Sequence, residues 1–502
     1  MSIDRYPKER DSVGKSIVFT YFFSVLSAIT GFLIVVIFSW LLSPEEWGAF
    51  TVAKRTGTLI ATIAVLGIPV AISRYIPMER ARRSVHASYY GSNAVYIVVI
   101  STLSAAIVWL LGLSVIPRSF LGDGALLLPL FAATLFFGAL IWQYFLTSFL
   151  RAEGYIRRYN LMILTGQLLQ LVFGCAAIVF FGRVATYAIA GASVGIFGVV
   201  LISFLLLRNL GILLFRKEYL KRGIQREIIS YGLPRMGMGI LDILLLGFSM
   251  LLLGFTGNTF EAGLFAIALQ FVAIIVLIFQ PIAIVMLPEF SKLHGMEDSE
   301  NIENKIQVLI QGWLYIILFI LIMVLVFIEP VFRYIFKADY IDAMDYIKIL
   351  LVGIIPFSFY LTTYSYINAV LKKPVVLYFM LFGLLVNIGV FVLLVPRFGG
   401  DGAAIATTAG MMAVGICMVV LLLKFQSRAF HATSMFDLVI CFIPLAGLLT
   451  ASLFITHIVI LLAVTGLFVS TYVYLLKKRK VSWFTIIENN YLRKKVPIND
   501  LI

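Results

Sequence analysis

The stretch SIVFTYFFSVLSAITGFLIVVIFSWLL, residues 16–42, carries no charged side chain from end to end. A helix needs about twenty apolar residues to cross a hydrocarbon core of about 30 Å, and this run exceeds that length. A segment in lipid must satisfy its own backbone N–H and C=O groups, so an unbroken run of this kind is helical. It follows a polar, basic start, is too long for the core of a secretory signal and lacks an obvious cleavage site. It therefore reads as an uncleaved first transmembrane helix.

Comparable runs recur along the chain. Of 502 residues 62% are hydrophobic and 13% charged, with a mean hydropathy of +1.04, against about 45–50% apolar and about 25% charged in soluble proteins. The short alternating segments of a membrane β-barrel are absent. Apolar runs between charged breaks predict an all-α polytopic membrane protein of about fourteen helices. They lie near 14–42, 57–77, 88–116, 125–150, 160–181, 185–207, 229–254, 261–288, 307–336, 345–371, 375–395, 401–424, 435–455 and 457–476. The longest connections between them, 208–228 and 289–306, are too short for a sizeable soluble domain.

The net charge of +14 sits in the breaks. Placing both termini and the breaks after even-numbered helices on one side collects roughly 29 lysines and arginines there, against roughly 8 opposite, the asymmetry of cytoplasmic loops. This places both termini in the cytoplasm and the protein in the cytoplasmic membrane. The basic excess sets topology and meets anionic lipid heads; no basic soluble module exists to bind nucleic acid.

Three weak internal matches share nearly one displacement. EWGAFTVA (46–53) resembles EAGLFAIA (261–268), YFLTSFL (144–150) resembles YLTTYSY (360–366), and FGRVATYAIA (181–190) resembles FGGDGAAIA (398–406). Together they predict one six-helix unit used twice in the same orientation: an N-terminal lobe at 1–207, a cytoplasmic linker at 208–228 and a C-terminal lobe at 229–424. Two further helices over 425–480 and a cytoplasmic tail over 481–502 complete the expected organisation. A cavity between two such lobes is the expected substrate path.

Enzyme chemistry finds little support. Outer-loop acids (Glu45, Glu46, Asp123, Glu261, Glu329, Asp339, Asp342, Asp345) form no metal-binding pattern, and His86, His294, His431 and His457 lack ligand spacing. No phosphate-binding loop appears. Cys175, Cys417 and Cys441 fall within apolar runs as small hydrophobes. Neither an enzyme nor a cofactor is expected.

Polar groups inside the helices carry more information. Arg74 lies near the end of the second predicted helix and Arg235 near the start of the seventh, with Asp242 on the same face two turns further and Ser249 beyond it. The first helix shows Ser16, Thr20, Ser24, Ser27 and Gly31, and the second Lys54, Thr58, Thr62 and Ser73. Such stripes suit either a wet cavity or close helix packing. An arginine one turn from a helix end either snorkels to head groups or faces a cavity, whereas Asp242 is too short to snorkel and must be protonated, paired or wet. Guanidinium groups facing a cavity match an anion such as pyrophosphate. Gln143, Gln167, Gln170, Tyr360, Tyr364, Asn368 and Asn387 offer hydrogen bonds and ring faces for sugars, or serve packing. Pro69, Pro77, Pro234, Pro281, Pro288 and Pro356 predict kinks.

Residues 31–77, GFLIVVIFSWLLSPEEWGAFTVAKRTGTLIATIAVLGIPVAISRYIP, resemble the opening of the polysaccharide-repeat-unit flippases of Wzx type. Leu42-Ser43-Pro44, Gly48, Leu66-Gly67, Ala71 and Arg74-Tyr75 occupy the places of that pattern. The group is similar to lipid II flippases and drug/cation antiporters within the multidrug/oligosaccharidyl-lipid/polysaccharide (MOP) exporter superfamily. The resemblance implies a MATE-like pair of bundles translocating a polyprenyl-pyrophosphate-linked oligosaccharide by alternating access, alongside membrane lipids and other polysaccharide-assembly proteins. It also implies that Arg74 engages the pyrophosphate; Arg235 and Asp242 rest on their placement alone. A cation-coupled multidrug antiporter is the alternative, and a membrane glycan ligase or polymerase a third. The interior of the first helix has no basic residue, unlike the cavities of lipid II flippases.

Overall fold

The computed structural model describes residues 13–81, 86–115, 125–210, 212, 215–296, 299–371, 375–425, 435–452 and 458–478. The 481–502 tail, His431 and His457, and the side chains of Ser16, His86, Pro281, Pro288 and Cys441 lie outside what is described. The helices are α1 (Val13–Leu41), α2 (Pro44–Ala64), α3 (Ile68–Ala81), α4 (His86–Val115), α5 (Leu127–Ala152), α6 (Ile156–Phe181) and α7 (Ala185–Asn209). They continue as α8 (Arg222–Phe255), α9 (Thr259–Gly295), α10 (Ser299–Ile335), α11 (Ala343–Val370), α12 (Val375–Phe425), α13 (Met435–Ser452) and α14 (Ile458–Lys478). Among the described residues eleven helices are long and apolar enough to cross a membrane, or up to twelve if the bent pair α2–α3 is one span. Large apolar side chains such as Leu103, Val108, Phe180 and Leu393 stand exposed on their flanks, as lipid-facing surfaces require.

One predicted helix takes a different form. The segment expected at 57–77 begins earlier and breaks in the middle. Ser43 caps α2, its Oγ accepting from Glu46 N at 3.3 Å, with Pro44 in the first turn and Glu45 and Glu46 at the positive end of the helix dipole. The polar SPEEW sequence is therefore a helix start and not a loop. The break comes at Leu66 (φ 50°) and Gly67 (φ 66°), and the two pieces bend by 43°. Pro69 falls in the first turn of α3, where its missing N–H costs nothing. The helices expected at 375–395 and 401–424 are both present; they are numbered together as α12 and are separated by a kink at Gly399, whose backbone is non-helical (φ 52°, ψ −127°). Only glycine adopts such a turn without strain.

Contacts divide the chain into two units. In the first, residues 1–270 with 394–403, α7 packs on α5 and α6, α1 on α6, α2 on α5, and α3 on α4 and α5, while α8 lies against α2, α3 and α4. Its core holds the fully buried rings of Phe38, Trp47, Phe50, Phe136, Phe137 and Phe145. Backbones come close where glycines permit. A Cβ added to Gly48 would lie 2.7 Å from the Thr259 carbonyl carbon and 3.0 Å from Gly263 N. Gly67 and Gly232 are packed as tightly, a Cβ on the former falling 2.6 Å from the latter's carbonyl carbon.

The matching stretches 46–53 and 261–268 meet here, Trp47 Nε1 donating to Gly263 O at 3.0 Å. Each stretch also places a glutamate at a glycine-marked junction. Glu46 Oε2 accepts from Ala185 N at 2.6 Å, just after Gly182 (φ 131°), and Glu261 Oε1 would lie 3.3 Å from a Cβ on Gly399.

The second unit comprises residues 271–393 and 404–502. There α10 packs on α11 and α13, and α13 on α14. Trp313 Nε1 donates to Ser358 Oγ at 2.8 Å, and Thr408 Oγ1 to Ile349 O at 3.0 Å. Tyr315, Leu445, Tyr472 and Leu476 form a buried cluster that seats the last two helices on α10.

Gly48→Ala is expected to lower the melting temperature of the purified protein, because overpacking against rigid backbone costs about 1–3 kcal/mol. Gly138→Ala, where no atom lies within 4 Å of the added methyl, is expected to be neutral. Equal melting curves for the two variants would show that the Gly48 approach is not tight.

Candidate functional site

Lys54 and Arg55 are neighbours on α2, so their side chains leave the helix about 100° apart. Arg55 turns toward α8, where Nη2 donates to Ile243 O at 3.0 Å. Gly247 makes room for it, since a Cβ there would lie 2.7 Å from the same nitrogen. Among the described residues its Nε is buried without a hydrogen-bond partner. Lys54 turns the other way, into a cavity of about 500 Å³ inside the first unit.

Each wall of that cavity is one helix face. Lys54, Thr58, Thr62 and Val65 of α2 lead to Pro69 of α3; Leu140, Gln143, Tyr144, Thr147, Ser148 and Arg151 come from α5; Tyr159, Ile163, Gln167 and Gln170 come from α6. Spacings of three and four set each group in one stripe, so the cavity runs along the helices as a groove. Gly31 and Ile34 of α1 and Phe136 of α5 complete it. Gly166 leaves space for the Gln143 amide, whose nitrogen lies where a Cβ would be.

The groove is positive: among the described residues its lining contains Lys54 and Arg151 and no carboxylate. Arg151 donates to Ser73 Oγ at 3.0 Å and stands 5.1 Å over the Tyr159 ring. Lys54 Nζ sits 5.8 Å from the Phe50 ring and has no acidic partner among the described residues. The hydroxyls spend their protons locally: Thr58 donates to Lys54 O, Thr62 to Thr58 O, Thr147 to Gln143 O and Ser148 to Phe145 O, at 2.7–2.9 Å. Their oxygens remain as acceptors.

A second cluster forms where α3 meets α8. The guanidinium carbon of Arg235 lies 3.6 Å from the centroid of the Tyr231 ring and that of Arg74 4.5 Å from it, so one ring carries two cations. Arg235 Nη1 also donates to Tyr231 O at 2.9 Å. Tyr75 stacks on Tyr90 at 4.9 Å, and Tyr90 donates to Glu227 Oε2 at 2.7 Å, which fixes the base of the cluster. Both arginines are exposed.

Of the residues singled out by sequence, Arg74 and Arg235 are thus brought together, and Gln143 lies apart from them in the groove. Asp242 is exposed two turns beyond Arg235, with no ion-pair partner among the described residues, but Ser249, expected to continue that stripe, is buried. Tyr360 and Asn387 belong to the second unit and are buried there, Tyr360 stacked on Tyr364 at 5.6 Å. Thr20 Oγ1 accepts from Asn160 Nδ2 at 3.0 Å and serves packing between α1 and α6. Sequence reasoning missed Tyr231, Tyr144 and Tyr159, and treated Lys54 as one polar residue among many. The detectable signal was the in-phase recurrence of polar residues at 54, 58 and 62, at 143, 147 and 151, and at 159, 167 and 170.

The architecture is that of a MATE-type membrane transporter. It matches an inward-facing multidrug resistance MATE family transporter of the MOP superfamily at a TM-score of 0.67 and 17% identity, over 82% of this chain and 96% of that one. An outward-facing transporter of the same description matches at 0.57 and 19%, over 84% and 98%. A MOP superfamily transporter from Pyrococcus furiosus, described as having a binding pocket of reverse polarity, matches at 0.58 and 18%, over 84% and 97%. At these identities the likeness defines the fold. The chain belongs to the polysaccharide biosynthesis protein family, whose model matches residues 13–294. No curated protein matches the chain.

In a background lacking the native cysteines, cysteines placed at Thr58 and Gln170 are expected to react with a small water-soluble thiol reagent, and one at fully buried Ile72 is not. Equal protection of all three would mean that the groove is dry.

Proposed function

We propose that the protein is a flippase that moves a polyprenyl-pyrophosphate-linked oligosaccharide across the cytoplasmic membrane by alternating access, for assembly of a polysaccharide or surface glycan. Membership of the polysaccharide biosynthesis family supports this reading. The observation that carries it is the pair of guanidinium groups over Tyr231. The planar fork of a guanidinium binds phosphate oxygens in pairs. Two such groups at one ring match the two phosphates of a pyrophosphate.

Asp242 lies about 10 Å along α8 from Arg235, too far to neutralise it and close enough to meet the first sugar hydroxyls. In this reading Gln143, Tyr360 and Asn387 take part in glycan binding, the lobes are residues 1–207 and 229–424, and both termini face the cytoplasm. The partners are the lipid-linked glycan, the surrounding lipids and other polysaccharide-assembly proteins. A cation-coupled drug antiporter fits less well, because the groove of the first unit presents Lys54 and Arg151 in place of a carboxylate.

The test is translocation of a fluorescent polyprenyl-pyrophosphate glycan by the purified protein in vesicles. Arg74→Ala and Arg235→Ala are each expected to slow it at least tenfold while leaving the amount of folded protein unchanged. The double variant is expected to be little worse than either, because both groups serve one ligand on one ring. Wild-type rates in both single variants would remove the arginine assignment, and no translocation by the wild type would remove the function.

A further inference from the structure

We propose that Asn93 of α4 is a positioning residue for the two arginines at Tyr231: it grips the chain just before α8 by the backbone and so sets where α8 starts. The inference rests on the proposed role of Arg74 and Arg235 in binding pyrophosphate, and adds the residue that brings them together.

The start of α8 has little of its own to fix its register. The chain reaches it in extended form, with Arg216 at φ −139° and Lys221 at φ −137° on either side of a short helical turn over Lys217–Tyr219. Among the described residues no side chain caps the first turn of α8. Gly223, Gly232 and Pro234 each weaken the helix that follows.

Asn93 supplies what is missing. It is fully buried, and its amide meets the linker with both of its hydrogen-bonding ends. Nδ2 donates to Tyr219 O at 2.8 Å, and Oδ1 accepts from Lys221 N at 3.0 Å. One amide thus reads the backbone on either side of Leu220, which takes a donor and an acceptor together; an aspartate would lack the donor and a leucine both. Its neighbours on α4 extend the grip. Ser92 Oγ accepts from Arg216 N at 3.0 Å, and the Tyr89 ring stacks on Tyr219 at 4.4 Å with Lys221 Nζ 4.7 Å away.

The consequence lies further along α8. Glu227, which accepts from Tyr90, shares a helix face with Tyr231 and Arg235 at spacings of four. A slip of one residue at the linker would move that face about 1.5 Å along the helix and about 100° around it, taking the Tyr231 ring away from Arg74.

Binding of inorganic pyrophosphate to the full-length protein in nanodiscs, measured by calorimetry, tests this. Asn93→Leu is expected to bind about tenfold more weakly than the wild type, the size of one lost charge-assisted contact. Tyr219→Ala, which leaves the buried face of α4 intact, is expected to weaken binding in the same direction, and it decides alone if Asn93→Leu does not fold. In an Arg74→Ala background Asn93→Leu is expected to cost less than about twofold more, because it acts through that arginine. A residue that only stabilised the fold would lower the melting temperature and leave the affinity of the folded fraction unchanged. Wild-type affinity in these variants, or an undiminished effect of Asn93→Leu in the Arg74→Ala background, would overturn the positioning role. Translocation of a lipid-linked glycan, measured on the same preparations, separates the two ideas. Binding that depends on Asn93 without translocation overturns the flippase reading alone, and translocation with binding indifferent to Asn93 overturns the positioning role alone. No pyrophosphate binding by the wild type overturns both the arginine assignment and the role of Asn93.

Discussion

Lys54 and Arg55 put two positive charges side by side on a helix in a lipid-embedded bundle, where a charge at the centre costs about 2.5–3.5 kcal/mol on insertion scales unless something meets it. The first unit answers each differently. Arg55 is absorbed into protein: its guanidinium crosses to α8, takes the Ile243 carbonyl and fits over Gly247. Lys54, about 100° around the helix, has no such partner among the described residues, and α5 and α6 line the groove beside it with amides and hydroxyls.

The same helix is held in position by backbone approaches that only glycine allows. Gly48 lies against the start of α9, and Gly67, at the break before α3, against Gly232 of α8. These residues belong to the pattern that makes the sequence resemble the flippases. Their work is packing: they fix where α2 ends and how α3 leaves it, and so they set Arg74 over the Tyr231 ring. Ala71, one turn before Arg74, is fully buried. Within this motif Arg74 is the exposed charge, 4.5 Å from the Tyr231 ring.

Much of this was legible in the sequence, because crossing lipid constrains composition strongly. Residues 16–42 alone imply a spanning helix, and uncharged runs located nearly every other one. The break at Leu66-Gly67 was not legible: an apolar run reads through it, and the left-handed turn is imposed by Gly232, a residue far along the chain. PRFGGD at 396–401 reads as a break between two helices, and the chain does kink there, at Gly399. The arginines at 74 and 235 were recognised singly. Their meeting depends on Tyr231, whose ring has no local signal to distinguish it from an interfacial tyrosine. Gln143, Gln167 and Gln170 were noticed as polar, but their shared groove appears only once α5 and α6 are in register with α2.

The account stands on Lys54 facing a wet, acid-free groove. A cryo-EM map of the protein in a lipid nanodisc, at a resolution that shows ordered water, tests this directly. The account predicts water or a bound anion within hydrogen-bonding distance of Lys54 Nζ and continuous solvent density along Thr58 and Thr62. Acyl-chain density in that space, or a carboxylate closing onto Lys54 Nζ, would contradict it.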